Sequence, residues 1–146
     1  MSRDARTPAK RRAVAIGYEH HTRSFARLVN EFGDGWHVTP FASTQLGTAA
    51  ALALLPFADA LVVFGGPAPH AALAALAHSL SIPVVIIWAG TDVLKLVNQP
   101  HTAAPLKLRP FHHVAVAPWL IDELSTVGIR ADYLRVAPIP AYDEPI

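Results

Sequence analysis

Cysteine is absent from the 146 residues, so the chain has neither a disulfide framework nor thiolate ligands for a metal. An excess of either charge is also lacking. Lys plus Arg number 12 against 11 Asp plus Glu, and a net charge of +1 gives nucleic acid no bulk electrostatic reason to bind. Long apolar runs are missing: none approaches the ~18–20 residues of a membrane span, and the Ala/Leu-rich residues 48–55 fall far short. A secretory leader would place its apolar core directly after the basic start, yet the run at residues 13–16 stops at Gly17 and charged residues follow. The cytosol is the expected compartment. The dinucleotide fingerprint GxGxxG is absent after the first and third apolar runs, so no NAD or FAD cofactor is expected. His70, His78 and His101 are isolated, and His112 and His113 point to opposite faces of a strand, so no metal-ligating set is expected either.

What is present is a core. With 52% hydrophobic and 16% charged residues, a chain of this length suits one domain. Residues 1–11, with Arg3, Arg6, Lys10 and Arg11, read as a solvated basic tail. Such a tail would also suit peripheral contact with anionic lipid. Residues 12–137 carry the fold, and residues 138–146, rich in proline, read as a linker or tail.

The organising stretch is PVVIIWAGTDV at residues 83–93. Five apolar, largely β-branched residues between Pro83 and Gly90 read as a strand buried on both faces. Thr91 or Asp92 then caps a helix, and such a strand-to-helix loop is where open α/β sheets place ligands. The same alternation recurs along the chain. Strands are predicted at residues 12–16, 36–41, 61–64, 84–88, 113–117 and 131–136. A helix capped by Thr22 or Ser24 should bury Phe25, Leu28, Val29 and Phe32. A second helix starts at Ser43 or Thr44 and ends before Pro56; a third has Pro67 and Pro69 in its first turn and buries Leu73, Leu76, Ala77 and Leu80. Residues 100–110, with three prolines, read as an irregular loop. Pro40 favours an edge position or a strand end. Six strands alternating with helices specify an α/β, Rossmann-like three-layer sandwich with a parallel six-stranded sheet, in the expected order 3-2-1-4-5-6. In that order the loops after the first and fourth strands share one crevice.

The run VVIIWAGTDVLKL, followed by VAPWLIDELSTVGIRADYLRVAPIP, resembles the N-terminal, acceptor-side domain of a GT-B fold glycosyltransferase. The positions that carry the resemblance are Trp88, Gly90, Thr91 and Asp92, then Pro118, Leu120, Glu123, Leu124, Gly128 and Ile129. It covers residues 12–140. The family's first loop is frequently glycine-rich, whereas this one reads Gly17, Tyr18, Glu19, His20, His21. The resemblance implies a chain that binds a sugar or glycolipid acceptor and transfers sugar from a nucleotide-sugar donor only with a donor-binding C-terminal domain. That domain is expected on another chain or in sequence missing here.

By the same resemblance His20 or His21 occupies the place of the base that takes the acceptor proton, and histidine is the side chain that changes charge nearest neutral pH. The plainer reading is of two solvated, idle histidines. The acceptor-binding candidates are Gly17, Tyr18, Gly65, Gly66, Gly90, Thr91 and Asp92. Gly65 and Gly66 would let backbone approach a ligand, and Asp92 serves either as a helix cap or as a sugar-binding carboxylate. Trp88 reads as core or crevice wall and Trp119 as a helix-start anchor. The alternative function is a non-catalytic α/β module that binds a small ligand or a protein partner. A response-regulator receiver is set aside, because Gly17, Tyr18 and Glu19 and then Gly65 and Gly66 stand where its acidic residues belong. An apolar crevice around Tyr18, Trp88 and Leu94 would be covered by another copy or a partner, so a homo-oligomer is expected. All sugar handling in this reading depends on the first and fourth strand ends lying side by side.

Overall fold

The computed structural model describes residues 10–33, 35–65, 70–107 and 109–133. Among them six parallel strands form one sheet: β1 (Arg11–Gly17), β2 (Trp36–Ala42), β3 (Ala60–Phe64), β4 (Val84–Trp88), β5 (His112–Ala115) and β6 (Asp132–Tyr133). The helices are α1 (Glu19–Phe32), α2 (Gln45–Leu54), α3 (Ala71–Ser79), α4 (Thr91–Asn98), α5 (Ala104–Lys107) and α6 (Pro118–Ser125). The expected Rossmann-like α/β class is therefore the observed one.

Side-chain alternation along the strands divides the core. Val14, Ile16, Leu61, Val63, Ile86 and Trp88 pack on one face with Ala51, Leu55, Leu73, Ala77, Val93 and Leu120. Ala13, Ala15, Val38, Val62 and Ile87 point the other way, where α1 supplies Ala26, Phe25 and Val29.

The strand order differs from the expectation. The sheet runs β2-β1-β3-β4-β5-β6, so β1 lies between β2 and β3 and has no contact with β4 as a neighbour. Pro40 supplies the physical reason. An order with β2 between β3 and β1 would ask a strand with a proline in mid-course to serve two ladders, and proline cannot donate to one. At the edge, β2 pairs with β1 alone, with Pro40 opposite Ala15. β3 takes the interior place, with Ala60, Leu61, Val62 and Val63 all buried. The crossover reverses direction between β1 and β3, which makes their carboxyl ends the switch point.

Three local expectations are also corrected. α1 begins at Glu19 with Tyr18 in the N-cap position, so His20 and His21 lie on the helix and not in a loop. Thr22 is buried in the first turn, its hydroxyl donating back toward the Tyr18 and Glu19 carbonyls. Phe32 is 76% exposed at the end of the same helix, and Leu76 and Leu80 are also exposed. Residues 100–107 are not irregular: a 3-10 turn (Pro100–Ala103) leads directly into α5, burying Ala103 and Leu106, and the Lys107 ammonium donates to the Val127 carbonyl at 3.2 Å. Trp119, expected as a helix-start anchor, stands in the first turn of α6 and is 52% exposed. Arg11, read as part of the basic tail, instead opens β1, its N–H donating to the Gly35 carbonyl at 2.8 Å. Residues 1–9, Pro67, Pro69, the distal part of the sixth predicted strand and residues 138–146 lie outside the described residues. No described helix is long and apolar enough to cross a membrane.

Candidate functional site

The loops after β1, β2 and β3 meet at the switch point around a cavity of about 270 Å³. Gly17, Tyr18 and Glu19 come from the first loop, Ala42, Ser43 and Thr44 from the second, and Phe64, Gly65 and His70 from the third. Each loop is short because each helix starts within a few residues of its strand. Thr44 caps α2 by accepting the Gly47 N–H at 3.0 Å, which fixes the turn that presents Ser43. Gly17 has φ +153°, and a Cβ there would stand 2.7 Å from the Phe64 Cβ and 2.8 Å from the Phe64 carbonyl oxygen. Only glycine lets the ends of β1 and β3 approach this closely.

The polar centre of the cavity is a pair that sequence reasoning passed over. His70 is 4% exposed, and its Nε2 lies 2.9 Å from the Ser43 hydroxyl. Burial lowers the His70 pKa below the ordinary 6.5, which keeps the ring neutral at physiological pH. Among the described residues its Nδ1 is buried with no partner. A lone pair left unpaired costs less than a stranded N–H, so the described contacts favour the tautomer in which Nε2–H donates to Ser43. Ser43, which is exposed, then turns its own O–H outward as a donor. No spacing signal pairs residues 43 and 70; what brings them together is the β2–β1–β3 order, which sets the loops after β2 and β3 on either side of β1.

The rest of the described lining is Gly17, Tyr18, Ala42, Thr44, Phe64 and Gly65, with a charged side chain at the rim. There Glu19 is paired with Arg23 at 2.6 Å, both side chains exposed. Among the described residues no lysine or arginine lines the cavity, so these offer no side-chain cation to a phosphate. Among the described residues no group of three His, Cys, Asp or Glu side chains is placed to hold a metal.

The expected site residues divide. Gly17, Tyr18 and Gly65 line the cavity; Gly66 lies outside the described residues. His20 and His21 are exposed on α1 and do not line it, although the His21 ring stands 6.1 Å from that of Tyr18 and 6.3 Å from that of Phe64. Gly90, Thr91 and Asp92 are separated from this site by β3 and contribute nothing to its lining. Neither Thr91 nor Asp92 is the N-cap, which is Gly90 at φ +150°. Asp92 instead folds back from the first turn, its carboxylate accepting the Gly90 N–H at 2.7 Å and the Ala89 N–H at 3.2 Å. The shared crevice of the first and fourth loops therefore does not form. Trp88 is 1% exposed, so it leaves the expected apolar crevice; its indole N–H donates to His113 Nδ1 at 3.1 Å.

Compared with family models, curated proteins and solved structures, the chain matches none. What the fold and cavity define is a class: a Rossmann-like α/β domain with a small polar cavity at the switch point of its sheet.

Proposed function

We propose that this chain is a binding domain for a small, neutral, hydroxyl-rich ligand, serving as the acceptor-side half of a sugar-transferring enzyme. The observation that carries the proposal is the Ser43–His70 pair in a cavity that also presents Tyr18 and Phe64 and, among the described residues, no lysine or arginine. A cavity of about 270 Å³ lies just below the ~300–1,000 Å³ of drug-sized ligand sites, which suits a monosaccharide better than a dinucleotide. Ser43, Thr44 and Glu19 offer donors and acceptors to hydroxyls, and Tyr18 and Phe64 offer ring faces to the apolar side of a pyranose.

This site keeps Gly17, Tyr18 and Gly65 of the expected set and adds Ser43, Thr44 and His70. With the first and fourth loops apart, Thr91 and Asp92 have no part in the proposal, and His20 and His21 are not its base. The chemistry at hand is binding; transfer would require a donor-binding domain, which the six strands do not include. The same placement favours a second reading, a module that binds without catalysis, because the one buried histidine at the cavity is a donor to Ser43.

Calorimetric or saturation-transfer titration with methyl glycosides tests the proposal. Binding at millimolar affinity or better, weakened about tenfold or more by Ser43→Ala and unaffected by Asp92→Ala, is the expected result, since a lost hydrogen bond to a buried polar group is worth ~1–3 kcal/mol. No binding by any methyl glycoside would refute it. With nucleotide-sugar donors added, the isolated chain should show background transfer only, and turnover would contradict the acceptor-half reading.

A further inference from the structure

α2 and α3 cover the same face of the sheet, where Ala51 of the first and Leu73, Ala74 and Ala77 of the second pack inward. The turns that open the two helices are held together by the Ser43–His70 contact at 2.9 Å. Among the described α-helices these two alone carry no Asp, Glu, Lys or Arg. From residue 35 to residue 91 the one charged side chain is Asp59, which accepts the Arg12 N–H at 2.8 Å. α1, on the opposite face, has the outer surface of a solvated helix, with Glu19 paired to Arg23 and Arg27 to Glu31. The outward stripe of α2 is instead Leu46, Ala49 and Ala53, continued by Phe57 just past its end. Leu46 is 81% exposed and Phe57 70%, and Leu52 and Leu54 flank the stripe, also exposed. α3 adds Ala72, Leu76 and Ser79, followed by Leu80, all exposed. Two neighbouring helices thus present one broad, uncharged, largely apolar layer.

We infer that a second copy of this chain covers the layer, related by a two-fold axis, with α2 antiparallel to its counterpart and Leu46 of each copy packed on Phe57 of the other. Charge selects this occupant. A lipid surface is met by lysine or arginine around an apolar centre, and residues 35–91 hold neither. A face without charge can be laid on itself with no like charges opposed, which is what an isologous interface requires. The pattern along α2 sets the direction. Leu46 and Phe57 stand at the two ends of the stripe with alanines between them, so antiparallel pairing puts large on large and lets the middles approach closely. It also opposes the two helix dipoles. Helices of 10 and 9 residues, each ~10 Å across, make a layer of roughly 15 by 20 Å. Two such layers, with their Phe57 turns, bury on the order of 1,000 Å², the threshold of a specific interface. This contact does not depend on what the switch-point cavity binds.

Sedimentation equilibrium and light scattering of the full chain, with no ligand added, provide the test. The wild-type chain should dimerise with a micromolar dissociation constant, in keeping with an interface of this size. Leu46→Glu and Phe57→Lys alter side chains that are mostly exposed, so each variant should fold, which circular dichroism checks. Either change alone should raise the dissociation constant about tenfold or more, because it buries an unpaired charge in an apolar contact. The double variant Leu46→Glu/Phe57→Lys sets opposite charges across the antiparallel pair and should dimerise more tightly than either single variant. Leu94→Glu, at an exposed position on α4, should leave the dimer unchanged. A wild-type chain that stays monomeric at millimolar concentration would overturn the inference. So would a dimer indifferent to both single variants, which would place the contact on another surface. A double variant no tighter than the single ones would overturn the antiparallel pairing.

Discussion

Gly17 and Phe64 stand at the point where two strand ends come within van der Waals distance, an approach that a side chain at position 17 would block. Gly17→Ala should therefore destabilise the domain by about 1–3 kcal/mol, the range for overpacking, read as a lower midpoint in urea unfolding. The Trp88–His113 hydrogen bond gives a second test at this scale. The indole fixes Nδ1 of His113 as an acceptor, so the proton sits on the other nitrogen, which faces the Leu106 backbone. His113→Leu strands a buried N–H and should cost about 1–3 kcal/mol, and Trp88→Phe added to it should cost less than the sum of the two. Burial first, and the neighbouring His112 charge after it, lower the His113 pKa; burial also lowers that of His70. The sign follows directly: below the ordinary value of 6.5 the unfolded chain takes up protons that the folded chain refuses. Unfolding free energy should be level above about pH 7 and fall as the pH drops through the six-to-five region. A pH series of urea melts checks this, and His113→Leu should show the shallower decline.

At the scale of elements, the starts of α2 and α4 make opposite predictions for binding. Thr44→Ala removes the cap of α2 and should cost about 1 kcal/mol, and because it loosens the turn that presents Ser43 it should also weaken glycoside binding. Asp92→Ala releases the Ala89 and Gly90 N–H groups at a similar cost in stability and should leave binding intact. Measuring stability and affinity on both variants separates a cap at the site from a cap away from it. The strands were legible in the sequence because β-branched runs bounded by Gly and Pro have few alternatives; β4 falls at residues 84–88 as its composition predicts. The start of α1 was not, because Thr22 and Ser24 are good cap residues, and the helix instead opens at Glu19 once Gly17 has turned the chain. The prolines at positions 100, 105 and 110 suggested a loop, but Pro100 stands at a helical first turn, where its missing N–H costs nothing.

For the whole molecule, strand order decides the site. With β1 beside β4, Gly90, Thr91 and Asp92 would join Gly17 and Tyr18 in one crevice, whereas the actual neighbours, β1 and β3, put the polar centre at Ser43 and His70. The clue was in the sequence, in Pro40. His70 itself could not have been found by spacing, since it is a lone histidine whose partner lies 27 residues earlier in another loop.

Pro40 carries a further consequence, for how molecules meet. The outermost strand of a sheet is an open row of donors and acceptors on which a second chain can crystallise into a fibril. With an imide nitrogen in mid-strand, that row is short of a donor, and lateral growth by strand addition is discouraged at this rim. Pro40→Val should leave the monomer folded yet shorten the lag before thioflavin-positive aggregates appear at elevated temperature, and an unchanged lag would show that the rim is guarded by something else.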